Sequence, residues 1–358
     1  MKIVILVGSL TMGGAERVAS LWARGFQQQG HMVSVVLNSK SEVSYALPEG
    51  IEMQNLYSKK KSKIVGWLKY IYKLRHYLKR VRPDVIIAVL EPHGLAAQIA
   101  TVGMGIPIIN TEHNTFDFPF SARMIMFRKL FVNKIYDKVT VLTQADMRVI
   151  GNRLKNAIVL PNPLSFATEK IDYSIKEKVL LAVGRIESYN CKGFDLLIKS
   201  WSKIAKKYPE WTLKIVGQGS TQTKDLLRSY ADFDLGRQLE FVDYTANILD
   251  FYKRAEIFVL SSRYEGFGMV LLEAMSQGCA CIACDYKGRQ QEIIDDVANG
   301  MVIPVNDVDA LCLAMEDLLT NESRRKAFQQ QAPKRAAVYS LDNIMLKWND
   351  ILKTVVVK

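Results

Sequence analysis

The sequence predicts an α/β protein made of two doubly wound, parallel-sheet domains of Rossmann type facing a central cleft. Three observations carry this. The chain has 358 residues, enough for two domains of ordinary size, and 49% hydrophobic with 23% charged residues suits a protein with filled cores. Short, almost continuously apolar β-rich runs alternate with helix-like stretches, as parallel strands covered on both faces require. That alternation occurs twice, on either side of a stretch mixing Pro, Asn, Ser and charge, "LPNPLSFATEKIDYSIKEK" at 160–178.

In the first half the expected strands are "KIVILV", "MVSVVLN", "DVIIAVL", "PIIN" and "KVTVLT". In the second they are "KVLLAVG", "TLKIVG", "LEFVD", "AEIFVL", "CACIAC" and "MVIPV". The domains are expected at 1–163 and 164–340. Ligands of paired α/β domains commonly occupy the crevice between them.

Several classes are set aside. The apolar run 2–7 is too short for a signal-peptide core, and no segment has the eighteen or so apolar residues of a spanning helix. Five cysteines, three of them in "GCACIAC" with no histidine nearby, read as free thiols in a buried strand rather than a zinc site. A cytoplasmic protein is the expectation. The formal charge of +12 lies wholly in residues 1–165, which hold 22 Lys and Arg against 10 Asp and Glu; the remainder balances at 26 and 26. An anionic partner is therefore expected on the first half.

The first loop, "GSLTMGGAERVAS" at 8–20, joins a strand to a helix. After Gly8 and Gly13 the P-loop requires Lys and Ser or Thr, but Gly14 and Ala15 follow, and the spacing G-x-G-x-x-G is also absent. What remains is a pair of glycines, Gly13 and Gly14, that lets backbone approach a ligand at a helix start.

The second half carries sharper chemistry. In "RYEGFGMVLLEAMSQG", Glu265 lies in a loop after a strand and Glu273 on the helix that follows. The N–H groups of Phe267, Gly268 and Met269 are expected free at that helix start, suited to phosphate or sugar oxygens. The two carboxylates suit sugar hydroxyls. In "VGRIESYNCKG", Arg185 and Lys192 put two cations on one loop, able to neutralise a leaving diphosphate without metal. "LKIVGQG", with Gly217, is a further strand and glycine turn. The tripeptides "DFD" (232–234) and "DVD" (307–309) read as solvated turns, so no metal is expected.

Together, "GGAER", "TEHN", "VGRIESYNCKG", "LKIVGQG" and "EGFGMVLLEA" resemble the retaining glycosyltransferases of family four, which have the GT-B fold. The resemblance spans about residues 8–305. It implies that Arg185 and Lys192 hold the nucleotide diphosphate, Glu273 the ribose and Glu265 the transferred sugar. Gly14, Gly217, Phe267, Gly268 and Met269 would complete the donor site. His113 would face the donor sugar, and Gly13, Gly14, His113 and Asn114 would meet the acceptor. Arg289 and Gln290, in "DYKGRQQEIIDD", depart from the family's commonest residues, whereas Glu292 fits. The resemblance also implies a UDP-sugar donor, retention of configuration and no cofactor. It further implies a C-terminal helix, 341–356, that returns to the first domain.

Residues 59–82 contain ten Lys or Arg and no acid. Ile64, Trp67, Leu68, Ile71, Leu74, Leu78 and Val81 recur at helical spacing and are expected to face the sheet, with Lys69, Lys73 and Arg80 opposite. Lys63, Trp67, Lys69, Lys73 and Arg80 are the expected contacts with an anionic membrane, where each cation adds about 1 kcal/mol. A second aromatic and basic stretch, 116–138, is expected alongside. No nucleic-acid-binding module is recognised. This combination resembles bacterial enzymes that extend polyprenyl-diphosphate-linked oligosaccharides, and "GGAERV" with "EHN" resembles the N-acetylgalactosaminyltransferases among them. A transferase at the inner membrane face, working in cell-surface glycan assembly, is the leading expectation. A lipopolysaccharide or soluble acceptor is the alternative, and a non-catalytic sugar-nucleotide-binding scaffold follows behind.

Overall fold

The chain forms two units, residues 1–165 with 341–358, and residues 166–340. The computed structural model describes residues 1–11, 13–58, 62–115, 132–166 and 170–356.

The first unit begins with β1 (Lys2–Val7), α1 (Gly14–Gln28), β2 (Met32–Leu37) and β3 (Glu52–Asn55), followed by α2 (Lys63–Val81) and β4 (Val85–Val89). Next come α3 (Glu91–Ala100), β5 (Ile108–Thr111), β6 (Lys138–Val141), α4 (Gln144–Ile150) and β7 (Ala157–Val159). Its seven strands lie in the order β3-β2-β1-β4-β5-β6-β7 and every pairing is parallel. Residues 3–7 of β1 and all of β4 are buried, because helices cover both faces of a parallel sheet.

The second unit runs through β8 (Glu177–Val183), the single-turn α5 (Tyr189–Lys192), α6 (Phe194–Ile204), β9 (Thr212–Val216) and α7 (Thr221–Arg228). It continues with β10 (Leu239–Val242), α8 (Ile248–Arg254), β11 (Ala255–Leu260), α9 (Met269–Ser276) and β12 (Ala280–Asp285). β13 (Met301–Pro304), α10 (Val308–Thr320) and α11 (Glu322–Ala336) complete it. Its sheet, also parallel, has the order β10-β9-β8-β11-β12-β13. Trp201, Trp211, Met315 and Phe328 fill its core against β8, β9 and β11. The cysteines of β12 and its approach are buried free thiols, and burial pushes Cys284 up to about 12.

The final helix, α12 (Leu341–Val356), belongs to the first unit. Trp348 packs edge-on against Trp22 at 5.0 Å and Phe26 at 5.5 Å on α1, and Gly25 leaves room for Met345, whose Sδ would stand 2.6 Å from an added Cβ.

Each sheet reverses its strand order once, between β1 and β4 in the first unit and between β8 and β11 in the second. The crevice outside the carboxyl ends of strands at such a point is where open α/β sheets bind ligands. The motif residues of the second half leave from β8 and β11.

One backbone position is strained in a way that makes a test. Val297, 69% exposed, has φ +63 in the loop closed by its N–H bond to Gly300 O. A β-branched residue in the left-handed region costs about 1–2 kcal/mol, more than the ~0.5–1 kcal/mol of backbone entropy that glycine loses. Val297→Gly is therefore expected to raise Tm by about 2 °C without changing activity. A lower Tm in a calorimetric scan would contradict this.

Candidate active site

At the second unit's strand reversal, the loop after β8 carries Arg185 and Lys192 and the loop after β11 carries Glu265. The structure brings Lys192 and Glu265 together: Lys192 Nζ donates to Glu265 Oε2 at 2.9 Å, and Ser262 Oγ donates to the same oxygen at 3.2 Å. Both side chains are largely enclosed. The attraction of Glu265 outweighs burial and holds the Lys192 ammonium above its ordinary range, so it is charged at neutral pH. The lysine stem lies over Gly184, where a Cβ would meet its Cγ, Cδ and Cε at 3.3 Å.

Backbone stapling fixes this pair. Three consecutive carbonyls of the Lys192 turn are bonded by the segment after β11. Arg263 Nη1 donates to Asn190 O at 2.6 Å, Arg263 N to Cys191 O at 2.8 Å, and Ser261 Oγ to Lys192 O at 2.9 Å. The Arg263 guanidinium also grips Asp195 through two bonds, at 2.8 and 2.7 Å, and donates from Nε to Asn306 Oδ1 at 2.7 Å. Gly193 closes the turn with φ +66, and a Cβ there would stand 1.9 Å from Ser261 O, so no other residue fits. Sequence reading missed Arg263 and Asp195. The signal was a cation directly beside the Glu265 motif and an acid directly after "KG".

Arg185 is exposed and makes no side-chain hydrogen bond or ion pair among the described residues; its charge lowers Lys192 slightly. Gly217 answers first to packing, since a Cβ there would meet Gly184 O at 1.8 Å. Gly268 caps α9 with φ +94, and among the described residues the N–H groups of Phe267, Gly268 and Met269 donate no hydrogen bond. Phe267 is buried against Tyr339, with ring centroids 5.6 Å apart. Glu273 is only 3% exposed and accepts from Tyr252 Oη at 2.9 Å. Arg289 and Gln290 are buried: Arg289 sits 5.1 Å from the Tyr286 ring and Gln290 Oε1 accepts from Tyr286 N. These unusual residues thus build the loop from inside. In the tripeptides, Asp307 caps α10 and Asp309 pairs with Lys203 at 2.6 Å; no acid and histidine cluster suited to a metal occurs among the described residues.

The first unit holds the other residues. Gly13 precedes α1 and Gly14 opens it, with nothing within 4 Å of the place a Gly14 Cβ would take. His113 and the exposed Asn114 follow β5. The His113 ring lies 5.5 Å from Trp22, and its Nε2 is 3.2 Å from Thr111 Oγ1. Burial lowers His113 to about 4, offset in part by Asn162, and burial lowers His93 to about 4 as well. Both rings are neutral at pH 7.

Unfolded histidine binds a proton near 6.5, which the folded rings refuse until about 4, so stability is full above 6.5 and is lost as pH falls from 6.5 towards 4. Tm is expected to fall over that window and to fall less in His93→Gln and His113→Gln. Identical pH profiles of Tm for wild type and both variants would contradict this.

The basic helix requires a correction. Trp67, Tyr70, Ile71, Leu74, Tyr77 and Leu78 of α2 pack inward. Ile64 and Leu68, expected on that face, are 74% and 56% exposed, and Tyr72 is 65% exposed. At about 100° per residue, positions 64, 68 and 72 fall together on the outward arc. Lys69, Lys73 and Arg80 are outward and exposed, as expected. Arg80 stands 4.0 Å from Glu52 and over the Tyr77 ring, on the edge of that arc. Lys63 opens the helix, but its side chain and residues 59–61 and 116–131 lie outside the described residues.

Comparisons with known proteins cover the whole chain. Residues 12–165 match the family model Glycosyltransferase Family 4, and residues 167–335 match Glycosyl transferases group 1. The amylovoran biosynthesis glycosyltransferase AmsD of Erwinia amylovora is 29% identical, over 98% of this chain and 99% of its own. The GalNAc-alpha-(1->4)-GalNAc-alpha-(1->3)-diNAcBac-PP-undecaprenol alpha-1,4-N-acetyl-D-galactosaminyltransferase of Campylobacter jejuni is 26% identical, over 99% of both chains. Among solved structures, Anabaena HepE in complex with UDP and glucose superposes with TM-score 0.84 at 18% identity, covering 99% of this chain and 100% of that one, which assigns the GT-B fold. With both halves matched in order, the chain belongs to the family-four glycosyltransferases, with a group 1 second domain.

Proposed function

We propose that this protein transfers a hexose or N-acetylhexosamine from a UDP-sugar to a hydroxyl of a saccharide linked to a polyprenyl diphosphate, retaining configuration and needing no metal. The observation that carries the reading is the Lys192–Glu265 pair at the strand reversal, beside the unbonded N–H groups that open α9. A charged Lys192, the free Arg185 and those N–H groups suit a leaving diphosphate, whose negative charge grows as the glycosidic bond breaks. Glu265 then has a carboxylate for the sugar, and Glu273 is the ribose ligand. In the transfer, the bond from sugar C1 to the diphosphate oxygen breaks and the bond from the acceptor oxygen to C1 forms on the same face. The departing phosphate takes the acceptor's proton, so no separate base is required.

Support for the donor comes from HepE, which holds UDP and glucose, and for the acceptor from the Campylobacter jejuni relative named for an undecaprenol-linked substrate. Gly13, Gly14, His113 and Asn114 are assigned to the acceptor side, with neutral His113 a hydrogen-bonding group rather than a cation. The outward face of α2, with Ile64, Leu68 and Tyr72 beside Lys69 and Lys73, suits an anionic bilayer. The working place is then the inner membrane face.

The test is a UDP-release screen of sugar nucleotides in EDTA, with lipid-linked and water-soluble acceptors. One UDP-sugar is expected to be consumed, faster with the lipid-linked acceptor on anionic vesicles, and Leu68→Asp with Lys69→Glu and Lys73→Glu should abolish vesicle binding. UDP release that requires metal, or vesicle binding untouched by the triple change, would contradict the corresponding part.

A further inference from the structure

The first unit has its own strand reversal, and its lining is unusual. The chain leaves β1 through Gly8 and β4 through Leu90, whose φ 72 and ψ 150 lie in a region used almost only by glycine. The turn is held from both sides: Leu90 N donates to Thr111 O at 2.9 Å, and Leu90 O accepts from His93 N at 3.1 Å. It sets His93 in the first turn of α3, directly against the opening loop. A Cβ on Gly8 would stand 3.2 Å from His93 Nε2. From α2, Tyr70 meets the same imidazole edge-to-face, with centroids 6.3 Å apart.

Two polar atoms in this nest, Tyr70 Oη and His93 Nδ1, are buried and make no hydrogen bond among the described residues. Tyr70 is only 2% exposed, while part of the His93 residue reaches the surface. An unmet buried polar group costs about 1–3 kcal/mol, and phenylalanine at 70 would fill the same space without that cost. Burial keeps both groups neutral at pH 7, Tyr70 by raising it and His93 by lowering it. A neutral phenol and imidazole give no charge to a phosphate, but they match the donor and acceptor character of sugar hydroxyls.

We infer that Tyr70 and His93 form a hydroxyl-reading subsite for the acceptor saccharide at the β1/β4 reversal. The inference rests on the proposed transferase function and adds two specificity residues to it.

The test uses the full chain and two readouts, Tm and the Kd of methyl α-glycosides of common hexoses and N-acetylhexosamines, measured by saturation-transfer NMR without turnover. Tyr70→Phe is expected to hold or raise Tm, to weaken the best-bound glycoside about tenfold, as loss of one hydroxyl bond implies, and to leave UDP binding unchanged. His93→Phe should act in the same direction, and the glycoside lacking the hydroxyl that is read should bind wild type and Tyr70→Phe equally. Glycoside binding unchanged in both variants, no glycoside binding by wild type, or a fall in Tm with no change in glycoside binding overturns the inference; the last result marks a structural pair bridged by buried water. Failure of the transferase reading would appear separately, as absence of UDP release.

Discussion

Glu265→Gln is expected to lower kcat by about 10²–10³-fold while UDP affinity stays within a few-fold. The substitution keeps shape and removes the charge that Lys192 Nζ meets at 2.9 Å. Lys192→Met is expected to lower kcat by a similar factor and also to raise the UDP-sugar KM, because the proposed function sets its ammonium against the diphosphate. The two changes together should cost little more than either alone, since residues acting as one unit are not additive. The pH profile gives an independent readout. Attraction to Glu265 holds Lys192 above its ordinary range, so wild type keeps its ammonium until pH rises past that range. In Glu265→Gln the alkaline limb should move to lower pH. Rates within threefold of wild type, or an unmoved limb, would contradict the assignment.

Arg263→Ala is expected to lower kcat/KM by about 10²-fold, on the scale that follows misplacement of a catalytic group, and to destabilise the fold by about 3 kcal/mol. Arg263 touches neither Lys192 nor Glu265 with its side chain. It ties Asn190 and Asp195 to the loop that carries Glu265, which makes it a positioning residue under the proposed function. Removing it leaves the mostly enclosed Asp195 without its bidentate partner. Asp195→Ala should reproduce most of the loss, and the double variant should be no worse than Arg263→Ala. Stopped-flow kinetics with thermal melts on the four proteins checks this. Additive losses, or a Tm fall without a kinetic effect, would show that the clamp only holds the fold.

How far the sequence could be read follows from where its signals lay. The six strands of the second unit were all legible, because each is an apolar, β-rich run within a doubly covered sheet. In the first unit β3 and β7 were missed. The run "EMQN" at the sheet edge is mostly exposed, and "AIV" is only three residues long, so neither carries a periodic apolar signal. The α2 pattern was half right. Seven apolar residues at helical spacing could not separate the inward face from an outward stripe, because Ile64 and Leu68 are as apolar as Leu74 and Leu78. Only their exposure tells them apart.

At the site, the motifs picked out Glu265, Lys192 and the α9 start because glycines and charges cluster there in sequence. The contact of Lys192 with Glu265 spans 73 residues and depends on β8 and β11 being neighbours, which no local pattern encodes. The Arg263–Asp195 fork, across 68 residues, was invisible for the same reason. Glycines were legible as turns, but their causes were not. Gly217 and Gly193 yield to backbone carbonyls, whereas Gly14 leaves open space.

The most direct measurement is a crystal structure of the protein with its UDP-sugar. The diphosphate is expected within hydrogen-bond reach of Lys192 Nζ and the N–H groups of Phe267, Gly268 and Met269, with the sugar hydroxyls on Glu265. A diphosphate bound away from Lys192 and the start of α9 would contradict this.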